Sequence, residues 1–411
     1  MPDFAQTLNY ATSYQRALEQ VYPYALYFGK LYSTPNNGRF RWVNSKTIEI
    51  PSISTTGRTN ADRDSIGTAQ RNYNNAWETK TLVNERKWST LVHPKDIDQT
   101  NMAAAISNIT KVFNEEHKFP EMDAYTISKI FYDWSTDIAA TTGHNAYVGR
   151  TPDTTAVTAQ NVLEIFDQLM LNMTNQRVPL SGRVLYVTNE VKVILKHAAQ
   201  LTRNWDVQSS ADGINRDVET LDGVEIIPVP KELMKTKYDF SAVDGWAVDP
   251  TAAQINMCLI HPTAVITPVS YSFSNLQAPT ALTEGKYYYY EESFEDVFIL
   301  NNKADAIQFN IDNTTSGLTV TSVEGSSSGK TALTVTPAKA TGNYYYTITG
   351  ATVTAPVIGS EIKVADGYAS WDGEADVTAT TGNKIGVVEC IKDSDKYYAV
   401  KFGSTTVASA T

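Results

Sequence analysis

The rhythm of hydrophobic and polar positions changes several times along the chain, and each change predicts a different kind of element. Residues 1–35 carry a short helical stripe (Leu8, Ala11, Tyr14, Leu18) among Tyr, Asn and Thr, then breaks at Pro23, Gly29 and Pro35. That reads as an arm that needs a partner surface. Ile48 and Ile50 alternate with Thr47 and Glu49, which predicts a strand that Pro51 closes. Residues 52–76 hold almost no core-forming side chains, and a polar stretch this long tends to be functional or ordered by a partner. Alternation resumes from Trp77 to His93, with Trp88, Thr90 and Val92 on one face. Residues 40–93 therefore read as a long two-stranded excursion.

Helical spacing follows. Met102, Ile106, Ile109 and Phe113 predict a helix over 98–118 capped by Asp98, and a second helix opening at Pro120 carries Ile127, Ile130, Phe131, Trp134 and Ile138. From 159 to 300 the pattern is mixed α/β. A helix bears Val162, Phe166, Leu169 and Met173, a buried strand runs over 183–188, and a helix covers 191–199. Strands are expected at 223–230, 256–269 and within 286–309. Near residue 310 the composition changes: Asp312 to Thr411 holds eighteen Thr and no Arg, with short alternating runs and recurrent Gly turns. That predicts a separate all-β module, Ig-like or a small barrel.

At 411 residues the chain has room for two to four domains, and 42% hydrophobic with 19% charged residues excludes general disorder. No apolar run approaches the ~18–20 residues of a membrane span. The first twenty residues lack the basic cluster and apolar core of a signal peptide, so a cytoplasmic site of synthesis is expected. Two cysteines, Cys258 and Cys390, exclude a disulfide framework and are expected in the core. The net charge of -11 is unevenly spread: residues 30–95 hold eleven Lys and Arg against five Asp and Glu, a local +6. This is either ordinary surface variation or a basic protrusion that rests on an acidic face of a neighbouring copy.

The search for chemistry returns little. No phosphate loop, dinucleotide glycine pattern or nucleophile elbow occurs. His93, His117, His144, His197 and His261 show no metal-ligand spacing. Glu115–Glu116 on a helix and Glu291–Glu292 on a strand cannot place two carboxylates on one face. Residues 366–376, DGYASWDGEAD, lack the ligand alternation of a calcium loop. No cofactor or metal is expected. Tyrosine is abundant, with 23 copies and clusters at Tyr287–Tyr290, Tyr344–Tyr346 and Tyr397–Tyr398. Half-buried strand packing explains such clusters, and so does an aromatic platform for subunits or sugar. Packing is favoured for the first cluster; the choice stays open for a surface cluster of Tyr344, Tyr345, Tyr346, Tyr397 and Tyr398.

Several segments in order carry a resemblance: HPKDIDQTN (93–101), FPEMDAYTISKI (119–130) with its Pro-Glu-x-Asp-x-Tyr start, VPLSGRVLYVTNEVKVILK (178–196), CLIHPTAVITPV (258–269) and YYYYEESFEDVFILNNK (287–303). Across roughly residues 1–310 the chain resembles tailed-phage major capsid proteins of the Hong Kong 97 type. The resemblance implies an α+β fold divided into an N-terminal arm (1–39), an extended β-loop (40–93), a peripheral domain with a spine helix (94–149), an axial domain (150–256) and return strands (257–311). Residues 312–411 lie outside it, as a β-module displayed outward.

The function implied is a structural, non-enzymatic subunit that closes into an icosahedral shell of hexamers and pentamers around double-stranded DNA, without sequence-specific contacts. The localisation implied is the virion capsid, assembled in the bacterial cytoplasm. A separate scaffolding protein, a portal and a decoration protein are the implied partners. The basic loop residues Arg58, Arg63, Arg71, Lys80, Arg86 and Lys87 would meet an acidic neighbour. No motif carries a relative's Lys–Asn crosslink over to Lys46 or Lys80. The alternatives are a nanocompartment shell and a surface protein that binds carbohydrate through its β-module.

Overall fold

The computed structural model describes residues 26–58, 71–99, 105–139, 147–198, 218–241 and 245–410. Most of the arm reading therefore lies outside the described residues. Its end forms a short turn of helix, α1 (Gly29–Tyr32), with Phe28 and Leu31 buried in the main core.

The excursion is built from β1 (Arg41–Trp42), β2 (Thr47–Thr55) and β3 (Tyr73–Thr81) in one antiparallel sheet. The expectation that Pro51 ends its strand is overturned, since β2 runs on to Thr55 with Pro51 opposite Trp77. β1 pairs only with Ile48 and Glu49, so Pro51 lies on an open edge where its missing N–H costs no ladder bond. The next strand, β4 (Glu85–Val92), leaves this sheet and pairs elsewhere, so the excursion is not a single two-stranded unit.

The helical region also departs from expectation. A short α2 (Pro94–Gln99) contains Asp98 within it rather than capped by it. After it, α3 (Ile106–Phe113), a π turn (Asn114–Lys118) and α4 (Phe119–Ser135) run on without a break. Pro120 has no N–H and its ring would meet the Glu116 carbonyl in regular α geometry; the wider turn before it relieves that conflict. α4 buries Ala124, Ile127, Ile130 and Trp134, the periodic stripe of the sequence.

The centre of the molecule is a five-stranded sheet. In chain order its neighbourhood comprises α5 (Val162–Asn175), β5 (Val184–Thr188), α6 (Asn189–His197), β6 (Thr220–Leu221) and β7 (Val224–Val229). A small pair, β8 (Tyr238–Asp239) and β9 (Ala247–Val248), precedes β10 (Gln254–Ile260). Then come β11 (Val265–Ile266), β12 (Val269–Gln277), β13 (Tyr287–Glu295), β14 (Phe298–Ile299) and β15 (Ile307–Asp312). The central order is β15-β10-β5-β7-β6, with only β5 and β7 parallel. Every residue of β5 is buried, as expected for a strand covered on both faces. Side chains from Phe28 to Ile311, including those of α4, α5, β5 and β10, form one continuous core. Buried Arg183 in that core donates to the carbonyls of Met170, Val178 and Pro179, which closes off the end of α5.

The Thr-rich region is all-β. It contains β16 (Thr319–Glu324), β17 (Lys330–Thr336), β18 (Tyr344–Gly350), β19 (Ala369–Trp371), β20 (Val377–Thr378), β21 (Lys384–Asp393) and β22 (Lys396–Thr406). They form two sheets, β16-β17-β20 and β19-β18-β21-β22. One apolar cluster holds Leu318, Leu333, Tyr345, Ile385 and Val387, and another holds Tyr346, Ile362, Val388, Cys390 and Phe402. β21 thus sends side chains into a core on each face, which accounts for its unbroken buried run from Ile385 to Cys390. This region is fastened to the rest by Ile358, which packs on the main core.

Candidate subunit-contact surfaces

The first turns of α4 form a hub that decides which polar groups remain available to another chain. Asp123, fully buried, accepts the N–H groups of Tyr27 at 2.8 Å and Phe28 at 3.1 Å. Two residues earlier Glu121 accepts Arg86 of β4 at 2.5 Å, and Arg86 also donates to the carbonyls of Phe240 and Gly245. Tyr125 donates to Asp296 at 2.8 Å, and the same carboxylate takes the Val83 N–H at 2.9 Å. Three residues of the Pro-Glu-x-Asp-x-Tyr segment therefore each hold a different stretch of chain against the helix. Burial raises the Asp296 and Glu295 carboxyls, although Lys129 and Lys118 respectively oppose it.

Two of the basic-loop residues are engaged within the subunit. Arg86 is clamped within its own subunit, and Lys80 is buried against Glu78 at 2.9 Å and Asn301 at 3.0 Å. A long cationic side chain held against a carboxylate, Glu78 on its own strand for Lys80 and Glu121 on α4 for Arg86, is neutralised there, whatever the net charge of its segment. Arg58 and Lys87 are exposed, and Arg71 is exposed with its guanidinium over the Tyr73 ring at 5.7 Å. Arg63 lies outside the described residues. The outer half of the β2–β3 pair has little core of its own: Ile53 is 73% and Tyr73 55% exposed.

β4 instead joins the sheet β12-β13-β4, where Lys87 stands opposite Glu292 and Trp88 opposite Glu291. Its inner face meets α3 through Trp88 stacked on Phe113 at 4.0 Å, and Lys118 pairs with Glu291 at 3.0 Å. The opposite face carries Tyr271, Phe273 and Leu91, all more than 40% exposed, beside Tyr288 and Tyr290. The first tyrosine cluster is thus strand packing on one side and an exposed aromatic strip on the other.

The five module tyrosines do not make one surface cluster. Strand alternation sends Tyr345 into one core, stacked on Trp371 at 5.5 Å, and Tyr346 into the other. Tyr344, 40% exposed, meets Tyr397 edge-on at 5.1 Å, and Tyr397 also packs on Tyr346. Tyr398 is half-buried opposite Ile391. His261 is held by Thr263 and Ser181, and burial lowers its pKa. Cys258 and Cys390 are both free and buried.

The geometry can now be set beside known proteins. The chain is similar to the capsid chain in the asymmetric unit of the bacteriophage PhiM1 mature capsid, with a TM-score of 0.54 and 15% identity over 74% of this chain and 92% of that one. It is also similar to the capsid chain of the cyanophage P-SCSP1u, with a TM-score of 0.50 and 11% identity over 73% and 92%. The fold is that of a phage capsid chain. Residues 323–410 match a different family, the C-terminal domain of the S-layer protein SbsC. Comparison of the sequence with curated proteins gave no match. The capsid-like fold and the S-layer-like domain thus account for the composition break near residue 310. Among the described residues no helix is long and apolar enough to cross a membrane.

Proposed function

We propose that this chain is a major capsid subunit of the Hong Kong 97 type, closing into a shell of hexamers and pentamers around the double-stranded DNA of a tailed phage. The likeness to the PhiM1 capsid chain, over 92% of that chain's length, carries the reading. The β2–β3 pair supports it, because an extended pair that exposes Ile53 and Tyr73 gains a covering surface only from another molecule. In this reading residues 1–39 and 40–93 embrace neighbours, 94–149 and 257–311 form the peripheral part, and 150–256 converge at capsomer centres. Arg58, Arg71 and Lys87, with Arg63, supply the basic contact to an acidic neighbour. Residues 312–411 project outward, and the match to an S-layer domain fits a place on an outer surface. A scaffolding protein, a portal and a decoration protein complete the virion capsid, which assembles in the bacterial cytoplasm. Repeated modest contacts then sum to a durable closed shell.

Electron microscopy of the purified protein tests this directly. Closed shells or ring-shaped capsomers are the expected result. A monodisperse monomer across a wide range of concentration and salt would refute the assembly role and favour a surface binding protein.

A further inference from the structure

The sheet β12-β13-β4 ends on a strand that nothing guards. β12 pairs only with β13, and no other strand among the described residues lies along its outer side. Eight of its nine residues are exposed. Its ladder to β13 is regular from Tyr271 to Gln277, so the outer row of N–H and C=O groups is unbroken over that length. Such a row is a template for another strand, and proteins ordinarily protect it with charges, proline or a bulge. The other long sheet edges of this chain are protected in that way. β3 carries Glu78 and Lys80, β4 carries Arg86 and Lys87, β22 carries Lys396 and Lys401, and β15 and β16 each end on a carboxylate. β12, with the sequence VSYSFSNLQ, holds no charge and no proline.

We propose that β12 pairs antiparallel with β12 of a second copy of this chain, about a two-fold axis through Phe273. Two three-stranded sheets then join into one of six strands. The absence of charge selects the occupant. A charged edge brought against β12 would give up water for an uncharged neighbour, whereas β12 against itself strands no charge. Self-pairing about a two-fold axis also makes a closed, self-complementary contact. Register follows from alternation. Phe273 and Asn275 share the face that carries Tyr290 and Tyr288 of β13, while Ser272, Ser274 and Leu276 lie on the other. With the axis at Phe273, each Phe273 ring meets its counterpart, and Ser272 stands opposite the counterpart of Ser274. Aromatic–aromatic and serine–serine neighbours are the cross-strand pairs that stabilise sheets. The exposed strip in which Phe273 stands 6.2 Å from Tyr271 and 6.3 Å from Tyr290 thereby runs on across the axis into the second copy. The pairing also satisfies the open row of backbone groups. One strand pair is a modest contact, and repetition within an assembly makes it count.

This contact goes beyond the capsid reading, which assigns no strand edge, and it requires only that two copies meet. The test uses the full chain. In S272C/S274C each introduced thiol faces one from the other copy, at the spacing of directly opposite cross-strand residues, which a disulfide can span. The native Cys258 and Cys390 are buried and do not compete. Mild oxidation should give a covalent dimer, with tandem mass spectrometry joining position 272 of one chain to position 274 of the other. S272C alone should stay monomeric, since its own counterpart lies two residues along the partner strand. S272K/S274K sets like charges opposite each other at two exposed positions. It should lose the concentration-dependent association that sedimentation detects in the wild type, with an unchanged circular dichroism spectrum. Equal cross-linking in S272C and S272C/S274C, or association of S272K/S274K at the wild-type level, overturns the proposal. Closed shells formed by S272K/S274K as readily as by the wild type would also remove this contact, while leaving the capsid reading in place.

Discussion

Asp123 accepts the backbone N–H of Phe28 at 3.1 Å, across a sequence separation of 95 residues, and both residues are fully buried. The second bond, from Tyr27 at 2.8 Å, makes the carboxylate a clasp between α4 and the end of the N-terminal segment. A buried carboxylate is stable only with such donors, so the contact should matter to the whole core.

D123A is therefore expected to destabilise the subunit by about 2–3 kcal/mol, the usual range for losing hydrogen bonds to a charged group and stranding their donors. D123N, which keeps one acceptor oxygen, should lose less. Urea unfolding of the unassembled subunit checks both. Equal midpoints for wild type and D123A would show that the clasp contributes nothing.

The basic residues should divide into two behaviours. R86E breaks the clamp to Glu121 and two carbonyls, so about 1–2 kcal/mol of subunit stability should go with it. Charge reversal at Arg58 and Arg71 should leave the unfolding midpoint unchanged, whereas reversal at Lys87, opposite Glu292, should lower it slightly; all three should slow assembly most at low ionic strength, since screening sets in at about 8–10 Å in physiological salt. Light scattering against time at two salt concentrations, paired with denaturation, separates the cases. An assembly rate indifferent to these reversals at low salt removes the electrostatic contact.

Asp296 and Glu295 predict a pH dependence with a definite sign. Burial raises both carboxyls in the folded state, so the native protein holds their protons more tightly than the unfolded chain does. Their contribution to stability is complete below the ordinary carboxylate pKa of about 4 and is lost as pH rises through the higher folded values. The double variant E295Q/D296N should flatten this downward slope. Denaturation midpoints across that interval test it, and an identical slope in the variant would refute the assignment.

The module's independence from the shell fold can be measured by ending the chain after Asp312 and expressing 313–410 separately. β15 already completes the central sheet through Ile311, and the module has two apolar clusters of its own. The isolated module should unfold cooperatively, and the truncated subunit should still form closed particles, with the surface under Ile358 newly exposed. Failure of the truncated chain to assemble would mean that the Ile358 contact is required for closure.

Local periodicity was enough for much of the fold. The stripe Ile127, Ile130 and Trp134 placed α4, and the apolar run Val184–Thr188 placed a strand covered on both faces. The Thr-rich alternation after residue 310 set apart an all-β region. These are properties of residues within a few positions of each other, where backbone geometry alone decides which side chains share a face.

Tertiary structure alone decided partners. β4 follows β3 closely in sequence yet pairs with β13, putting Arg86 opposite Ser293 and within reach of Glu121. The same packing drew Lys80 to Asn301 and buried it, although both cations read as free surface charge. It also gave Tyr345 and Tyr346 opposite cores, and brought Asn343 and Lys401 onto the Glu389 carboxylate. Whether a charge is a surface contact or a clamp depends on groups far along the chain, and those meet only when folding chooses which strands pair.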